Sequence, residues 1–179
     1  MDNKVNSLID YKYLSKNYKN ILITGGLGFI GSCLILKLLK ETELKIFNID
    51  KQESDHNPLS IGHKLKDIGK ENYRFIKADI SKEKELNEVF QICNPDLVFH
   101  LAAESHVDRS IDSPGLFMNS NIFGTFHLLQ ESLKHYRKIS FYRKKLFKFI
   151  HISTDEVYGS LGLKGSFNEQ SCYAPRSPY

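Results

Sequence analysis

From residue 20 onward, short apolar runs alternate with stretches whose apolar residues recur at helical spacing. Asn20–Thr24 carries Ile-Leu-Ile between polar ends and predicts a buried strand. Phe29–Leu39 sets Ile30, Leu34, Ile35, Leu38 and Leu39 on one stripe, the mark of an amphipathic helix. Leu44–Ile49 predicts a second strand that ends at Asp50. Positions 51–72 are polar, contain Pro58, Gly62 and Gly69, and read as a loop with one short helix. Tyr73–Lys77 predicts a third strand. Ser81 is placed to cap a helix reaching about Ile92, with Glu83, Glu85 and Glu88 toward its positive end. Asn94-Pro95 stops that helix. Leu97–Leu101 predicts a fourth strand. Pro114–Tyr136 predicts a long helix that buries Phe117, Ile122, Phe126, Leu129 and Leu133, and Phe147–Ile152 a fifth strand. Strands alternating with helices imply an α/β fold, a doubly wound parallel sheet with helices on both faces.

Composition agrees with a folded domain: of 179 residues, 41% are hydrophobic and 26% charged. No apolar run approaches the ~20 residues of a membrane helix, which argues against a spanning protein. Residues 1–20 are polar and tyrosine-rich, without the apolar core of a signal peptide. Three cysteines, Cys33, Cys93 and Cys172, show no CxxC spacing. They offer neither a disulfide framework nor a zinc site, so no metal is expected, and they fit a reducing cytoplasm. The net charge of +4 is concentrated between Lys134 and Lys148, where Lys134, Arg137, Lys138, Arg143, Lys144, Lys145 and Lys148 stand without an acid. Such a run suits an anionic partner, or simply the negative end of a helix. The second reading is preferred, because no nucleic-acid motif surrounds it and no nucleic-acid or membrane partner is expected.

The turn between the first strand and the first helix is Thr24-Gly25-Gly26-Leu27-Gly28-Phe29-Ile30-Gly31. It contains Gly26-x-Gly28-x-x-Gly31 and also Gly25-x-x-Gly28-x-x-Gly31. Glycines here allow a sharp turn, close backbone approach to a pyrophosphate and tight helix–strand packing. The helix then presents its free N–H groups to the anion. Asp50 ends the second strand, 19 residues past Gly31. A carboxylate there accepts hydrogen bonds from an adenosine ribose and repels a 2′-phosphate, which favours NAD over NADP. Lys51, beside it, is the residue able to reverse that preference by pairing with the phosphate. After the third strand, Asp79 is placed to hydrogen-bond an adenine edge and Ile80 to pack on it; read alone, Asp79 is a turn residue or helix cap. Leu101-Ala102-Ala103 closes the fourth strand with small side chains that leave room for a cofactor and are equally common in cores.

Ser153-Thr154-Asp155-Glu156-Val157-Tyr158-Gly159 follows the fifth strand, at the carboxyl edge where open α/β sheets bind ligands. Adjacent carboxylates beside a hydroxyl make a plausible acid/base set. On spacing alone the preferred alternative is a helix start with Thr154 as cap. Glu104-Ser105-His106-Val107-Asp108-Arg109 is polar for a segment leaving a buried strand. Ser105 is placed to bind substrate or cofactor, and His106, Asp108 and Arg109 suit an ion-pair net. A Ser/His/Asp hydrolase is disfavoured, since Ser105 and His106 are neighbours and no G-x-S-x-G elbow exists.

Thr24–Gly31 with Asp50 resembles an extended short-chain dehydrogenase/reductase. His100–Ile111 (HLAAESHVDRSI), Asn121–Leu129 (NIFGTFHLL), His151–Gly159 (HISTDEVYG) and Ala174–Tyr179 (APRSPY) narrow the resemblance to the dTDP-glucose 4,6-dehydratase family of deoxysugar (rhamnose) biosynthesis. It covers residues 20–179 and leaves 1–19 as an added, mobile extension. The resemblance implies a Rossmann-like NAD-binding domain, incomplete at its C-terminus, and a cytoplasmic lyase that converts dTDP-glucose to dTDP-4-keto-6-deoxyglucose. Hydride leaves C4 for NAD+ and returns at C6, so the cofactor is recycled. It also implies that Tyr179, first residue of a Tyr-x-x-x-Lys motif, takes the C4 hydroxyl proton. Glu156 would remove the C5 proton, Asp155 would protonate the departing C6 hydroxyl, and Thr154 would bind the sugar. Phe29, Ile30, Asp50, Asp79, Ile80, Leu101, Ala102, Ala103, Ser105 and Ser120 fall at cofactor-lining positions of the family, together with Gly25, Gly28, Gly31, Lys51 and Tyr179. The chain departs from the family after Asp50, where Lys51-Gln52-Glu53-Ser54-Asp55-His56 replaces a Tyr-Ala-Gly-Asn stretch, and it ends before the motif's lysine. A chain ending at Tyr179 is expected to be an inactive N-terminal fragment lacking the substrate domain and half of the family's homodimer contact. The alternatives are another NAD-dependent nucleotide-sugar epimerase or decarboxylase, or a non-catalytic NAD-binding remnant.

Overall fold

A computed structural model describes residues 10–51, 71–162 and 164–179. Most of the loop expected at 51–72, with its short helix, and residues 1–9 of the extension lie outside the described residues. Five strands form one parallel sheet: β1 (Asn20–Thr24), β2 (Lys45–Asp50), β3 (Tyr73–Lys77), β4 (Leu97–His100) and β5 (Lys148–His151), in the order β3-β2-β1-β4-β5. The chain starts in the middle, steps outward through β2 to β3, then returns to lay β4 and β5 on the other side of β1. The direction of winding therefore reverses between β1 and β4, with Thr24 paired to His100 at the carboxyl end of both. Such a reversal opens a crevice at the carboxyl edge of the sheet. The fold is the doubly wound, Rossmann-like architecture that the alternation of patterns implies.

Both faces of the sheet are buried because neighbouring residues of a strand point to opposite sides. On one face Ile21, Ile23 and Ile46 pack with Ile35 and Leu38 of α2 (Phe29–Glu41). On the other, Leu22, Ile49 and Val98 pack with Leu86, Val89 and Phe90 of α3 (Glu83–Cys93) and with Leu128. Each such side chain removed from water contributes roughly 1.5–3 kcal/mol. Burial also pushes the Cys93 thiol up to about 12, so it behaves as an apolar filler.

The extension is not wholly apart from the domain. Its second half forms helix α1 (Tyr11–Asn17), capped by Asp10, whose Oδ1 accepts from the Tyr13 N–H at 2.9 Å. Tyr11 and Leu14 lean on the core, and Tyr18 is 4% exposed. Asp96 Oδ2 then accepts the N–H groups of Lys19 and Asn20 and so anchors the start of β1.

Two other expectations need correction. Ser81 does not cap α3: its N–H and hydroxyl both donate to Asp79 Oδ1, and the helix begins after Lys82. The long helix is divided into α5 (Pro114–Phe117), a π-helical segment (Met118–Gly124) and α6 (Thr125–Lys138). Phe117 is buried as expected, but Ile122, Phe126, Leu129 and Leu133 are exposed. The side that packs carries the small residues Ser120, Gly124 and Ser132 with Leu128 and the buried Glu131, which pairs with Lys134. Close packing selects small side chains. A Cβ on Gly124 would stand 2.7 Å from Ile80, so the bulky stripe is left on the opposite face.

The basic run is helix-end and tertiary structure. Lys134 pairs with Glu131 and Glu83. Arg143, on a helix not foreseen, α7 (Phe141–Leu146), donates to Asp96 Oδ1 and to the Asn94 and Pro95 carbonyls. One further short helix, α4 (Val107–Asp112), follows β4. Among the described residues no helix is long and apolar enough to cross a membrane.

Candidate functional site

The glycine turn is shaped by contacts that leave no room for a side chain. Gly25 has φ +72°, and a Cβ there would meet the Ala102 backbone nitrogen at 2.6 Å. A Cβ on Gly31 would meet the Gly25 carbonyl oxygen at 2.4 Å. The turn is therefore pressed against both the fourth strand's exit and the first turn of α2. Gly28 is the N-cap of α2 and supplies no side-chain cap. The first N–H groups of the helix are thus left to solvent or to an anion. Phe29 and Ile30 begin the helix 88% and 61% exposed, an unusual position for large apolar side chains. Such a bare, uncapped turn fits a dinucleotide's pyrophosphate.

Asp50 stands at the end of β2, 9% exposed, and its Oδ2 accepts the Leu27 N–H at 3.0 Å. The carboxylate thus braces the glycine turn from the side where a ribose is expected. Beneath the turn, Asn48 Nδ2 donates to the Tyr73 hydroxyl, while its Oδ1 is buried without a partner against Gly26. Lys51 Nζ meets Glu104 Oε1 at 2.7 Å. The Glu104 backbone is held at both ends by the Asn121 side chain, which accepts its N–H at 2.8 Å and donates to its carbonyl at 2.9 Å.

A second polar group sits where winding reverses. Thr24 Oγ1 accepts the Leu101 and Ala102 N–H groups, leaving its own proton to donate to His100 Nδ1 at 2.7 Å. Nδ1 is then an acceptor, so His100 carries its proton on Nε2 and donates it to Thr125 Oγ1 at 2.8 Å. The neutral ring agrees with its basicity, which burial and then the neighbouring His151 lower to about 4. This network fixes the Leu101–Ala103 exit against the glycine turn. Sequence reasoning gave Thr24, His100 and Thr125 no role; the signal was a polar residue closing each of two adjacent apolar strands.

Asp79 is engaged in the turn before α3, with Glu85 accepting its N–H. The Ile80 side chain is core, 4% exposed, and is spent on packing under Gly124. Ser120 is buried, and Ser105 is exposed in the segment before α4.

After β5 the chain makes a single 3₁₀ turn, Asp155–Tyr158, with Thr154 as N-cap. Thr154 Oγ1 accepts the Glu156 N–H at 3.2 Å and donates to Asp155 Oδ1 at 3.4 Å. Both carboxylates are exposed. The cap and the acid pair are thus one object: the turn that orients the acids also presents them to solvent. Tyr158 stacks on Phe167 and meets Tyr173 at a tilt, and the Ala174 N–H donates to the Val157 carbonyl, which folds the last residues back along the turn. Tyr179 ends edge-on to Phe117, ring centroids 6.3 Å apart. Among the described residues no hydrogen bond joins it to Thr154, Asp155 or Glu156. A hollow of about 550 Å³ lined by Tyr18, Lys19, Thr42 and Lys45 lies at the amino end of the sheet, away from these groups.

The family model described as GDP-mannose 4,6 dehydratase matches residues 22–179. A dTDP-glucose 4,6-dehydratase of Neisseria gonorrhoeae is 45% identical over 163 residues, an overlap of 90% of this chain and 46% of the relative. The solved dTDP-glucose 4,6-dehydratase of Streptomyces venezuelae with NAD bound is 33% identical, with a TM-score of 0.75 over 89% of this chain and 46% of that one. The UDP-Glc/GlcNAc 4-epimerase of Campylobacter jejuni is 27% identical, with a TM-score of 0.75 over 90% of this chain and 44% of the epimerase. The chain thus spans less than half the length of each of these proteins.

Proposed function

From its membership of the GDP-mannose 4,6 dehydratase family, to which this chain belongs, we propose that its residues bind NAD and serve the conversion of dTDP-glucose to dTDP-4-keto-6-deoxyglucose. The observation that carries this reading is the exposed Asp155-Glu156 turn, set on the same sheet edge as the glycine turn and Asp50. Its relatives named as dTDP-glucose 4,6-dehydratases support the substrate, and the venezuelae neighbour supports the cofactor.

In this reading the pyrophosphate rests on Gly25, Gly28, Phe29, Ile30 and Gly31, where the uncapped helix start offers N–H groups. Asp50 accepts from the adenosine ribose, with Lys51 beside it. Asp79 hydrogen-bonds the adenine edge; the Ile80 side chain, expected to pack on it, is instead buried beneath Gly124 and only borders that place. Leu101, Ala102, Ala103 and Ser120 border the path across the sheet edge, and Ser105 reaches substrate or cofactor. Bound NAD would supply the hydride acceptor for the sugar C4 and return the hydride at C6. Tyr179 takes the C4 hydroxyl proton. Thr154 holds the sugar near O4 while keeping the two acids apart in its turn. Glu156 removes the proton at C5 and Asp155 gives one to the departing C6 hydroxyl, a division that needs one carboxyl ionised and the other protonated.

The exposed stripe of Ile122, Phe126, Leu129 and Leu133, between 43% and 56% exposed, supports a homodimer through α6. Three free cysteines support a reducing, cytoplasmic setting, and the substrate supports a place in deoxysugar (rhamnose) biosynthesis. A second reading, a nucleotide-sugar 4-epimerase, is favoured by the Campylobacter neighbour's equal TM-score. The test is to supply dTDP-glucose and NAD+ to the protein in the form the cell makes and analyse the product. A 4-keto-6-deoxy sugar supports dehydration; dTDP-galactose without loss of water would establish the epimerase reading instead.

A further inference from the structure

The carboxyl ends of β1, β2 and β3 follow one another along the sheet edge. They carry, in that order, the glycine turn for a pyrophosphate, Asp50 for a ribose and Asp79 for an adenine. The Ala78 N–H donates to the Asp50 carbonyl, so Asp79 stands just beyond the last rung between β2 and β3. Its half-buried carboxylate is not left to rotate. Asp79 Oδ1 accepts both the N–H and the hydroxyl of Ser81, at 2.9 and 2.8 Å. Ser81 is held in turn by the helix that packs over it. Asn119 Nδ2, in the π-helical segment, donates to Ser81 Oγ at 3.3 Å. His127 Nδ1, in α6, lies 2.9 Å from the Ser81 carbonyl; a carbonyl only accepts, so that nitrogen carries the proton. Glu85 accepts the Asp79 N–H and fixes its backbone. Among the described residues nothing bonds Asp79 Oδ2.

A carboxylate with one oxygen pinned presents the other in a fixed direction. When ionised it only accepts hydrogen bonds, so it selects a base edge that donates. Adenine offers a 6-amino group. A 6-oxo purine offers an acceptor at that position and its donor one ring position away, at N1. We propose that Ser81 sets the base selectivity of the dinucleotide site: by holding Asp79 Oδ1 it keeps Oδ2 for the 6-amino group and denies the carboxylate the swing toward N1–H that a 6-oxo purine demands. Ser81 is here a positioning residue that acts through Asp79, and the inference rests on the NAD reading above. The hydroxyl that spacing assigned to a helix cap is spent instead on orienting an acceptor, and the contacts from Asn119 and His127 make the helix part of that support.

The test is calorimetric titration, on the protein in the form the cell makes, with NAD+ and with nicotinamide hypoxanthine dinucleotide. The native protein is compared with Ser81→Ala, Ser81→Thr, Asp79→Ala and the double variant Asp79→Ala/Ser81→Ala. Native protein should prefer NAD+. Ser81→Ala keeps the backbone bonds to Asp79 and His127 and should reduce that preference by about tenfold, the scale of one hydrogen bond to a charged group. Ser81→Thr restores a hydroxyl and should hold the native ratio. With Asp79 already removed, Ser81→Ala should leave the ratio where Asp79→Ala put it. A purely structural role for Ser81 would weaken both dinucleotides alike and leave the ratio unmoved, which overturns the proposal. A ratio that Ser81→Ala still shifts without Asp79 overturns it too. Native protein that binds both dinucleotides equally removes Asp79 from the adenine edge and the proposal with it. Native protein that binds neither would sink the NAD reading itself, an outcome distinct from NAD binding with an unchanged ratio.

Discussion

The two sides of the sheet's carboxyl edge are built to different standards. Around β1, β2 and β4 the groups that face the crevice are anchored: Asp50 by the Leu27 N–H, Ala102 by Thr24, His100 between two threonines, Glu104 by Asn121. Four of the five β1 residues are buried. At β5 three of four residues are exposed, and the acids that follow it stand exposed in a turn capped by Thr154 and tied through Val157 to Ala174. The first side is finished before any ligand arrives. The second presents its chemistry after β5, which is an outer strand of the sheet among the described residues. Stability and cofactor binding should therefore belong to one side, and turnover to the other.

That division can be broken most directly at the acids. In protein that turns over dTDP-glucose, Asp155→Asn and Glu156→Gln should slow elimination by about 10²–10⁴ while NADH still forms from bound substrate and the melting temperature holds. Stopped-flow absorbance of NADH checks this, and equal loss of both steps would break the assignment. On the anchored side, Leu22→Ala should cost about 2–5 kcal/mol in denaturant unfolding, because Leu22 is fully buried in β1. Next comes acid. His100 is neutral when folded, its basicity lowered from 6.5 to about 4 chiefly by burial. The unfolded chain therefore binds a proton first as pH falls. Stability is complete above pH 6.5 and declines toward pH 4 by roughly 3 kcal/mol, with His135, also lowered by burial, adding in the same direction. Urea titrations between pH 7 and 4 on the native chain and on His100→Gln would show whether the slope follows that ring. The smallest effect is expected at the outer strand: Ile150→Thr should change stability by no more than about 0.5 kcal/mol, since Ile150 is 37% exposed.

The same contrast marks what the sequence made legible. All five strands, the glycine turn and Asp50 were readable because short apolar, β-branched or aromatic runs and a sharp turn each demand distinctive residues, even where, as in β3 and β5, the strand is only partly buried. The acid pair was readable as a candidate, though a cap and an acid pair looked like rival readings; Thr154 caps the very turn that exposes both carboxylates. The α6 face was misread because hydrophobicity ranks Phe126 and Leu129 above Gly124 and Ser132, whereas close packing ranks them the other way. Ser81 lost the cap to local geometry, since Asp79 two residues earlier captures both of its donors. Glu104 and Asn121, like Thr24 and His100, depend on partners 17 to 76 residues away, which no local pattern reveals.

The π-helical segment has a consequence for how this chain tolerates insertion and deletion. A wide turn accommodates one more residue than an α-helix between the same two ends. Asn121, in that segment, reaches Glu104, and Leu128, beyond it, reaches the core beside α3. Removing a single codon between Met118 and Gly124 would let the rod relax to a regular α-helix with its two ends still in phase, whereas adding one would turn one end against the other by roughly 100°. Either Asn121 or Leu128 would then face the wrong way. The segment behaves as a phase shifter: one codon of slack lets a single helix keep two appointments that a regular repeat would set on different meridians.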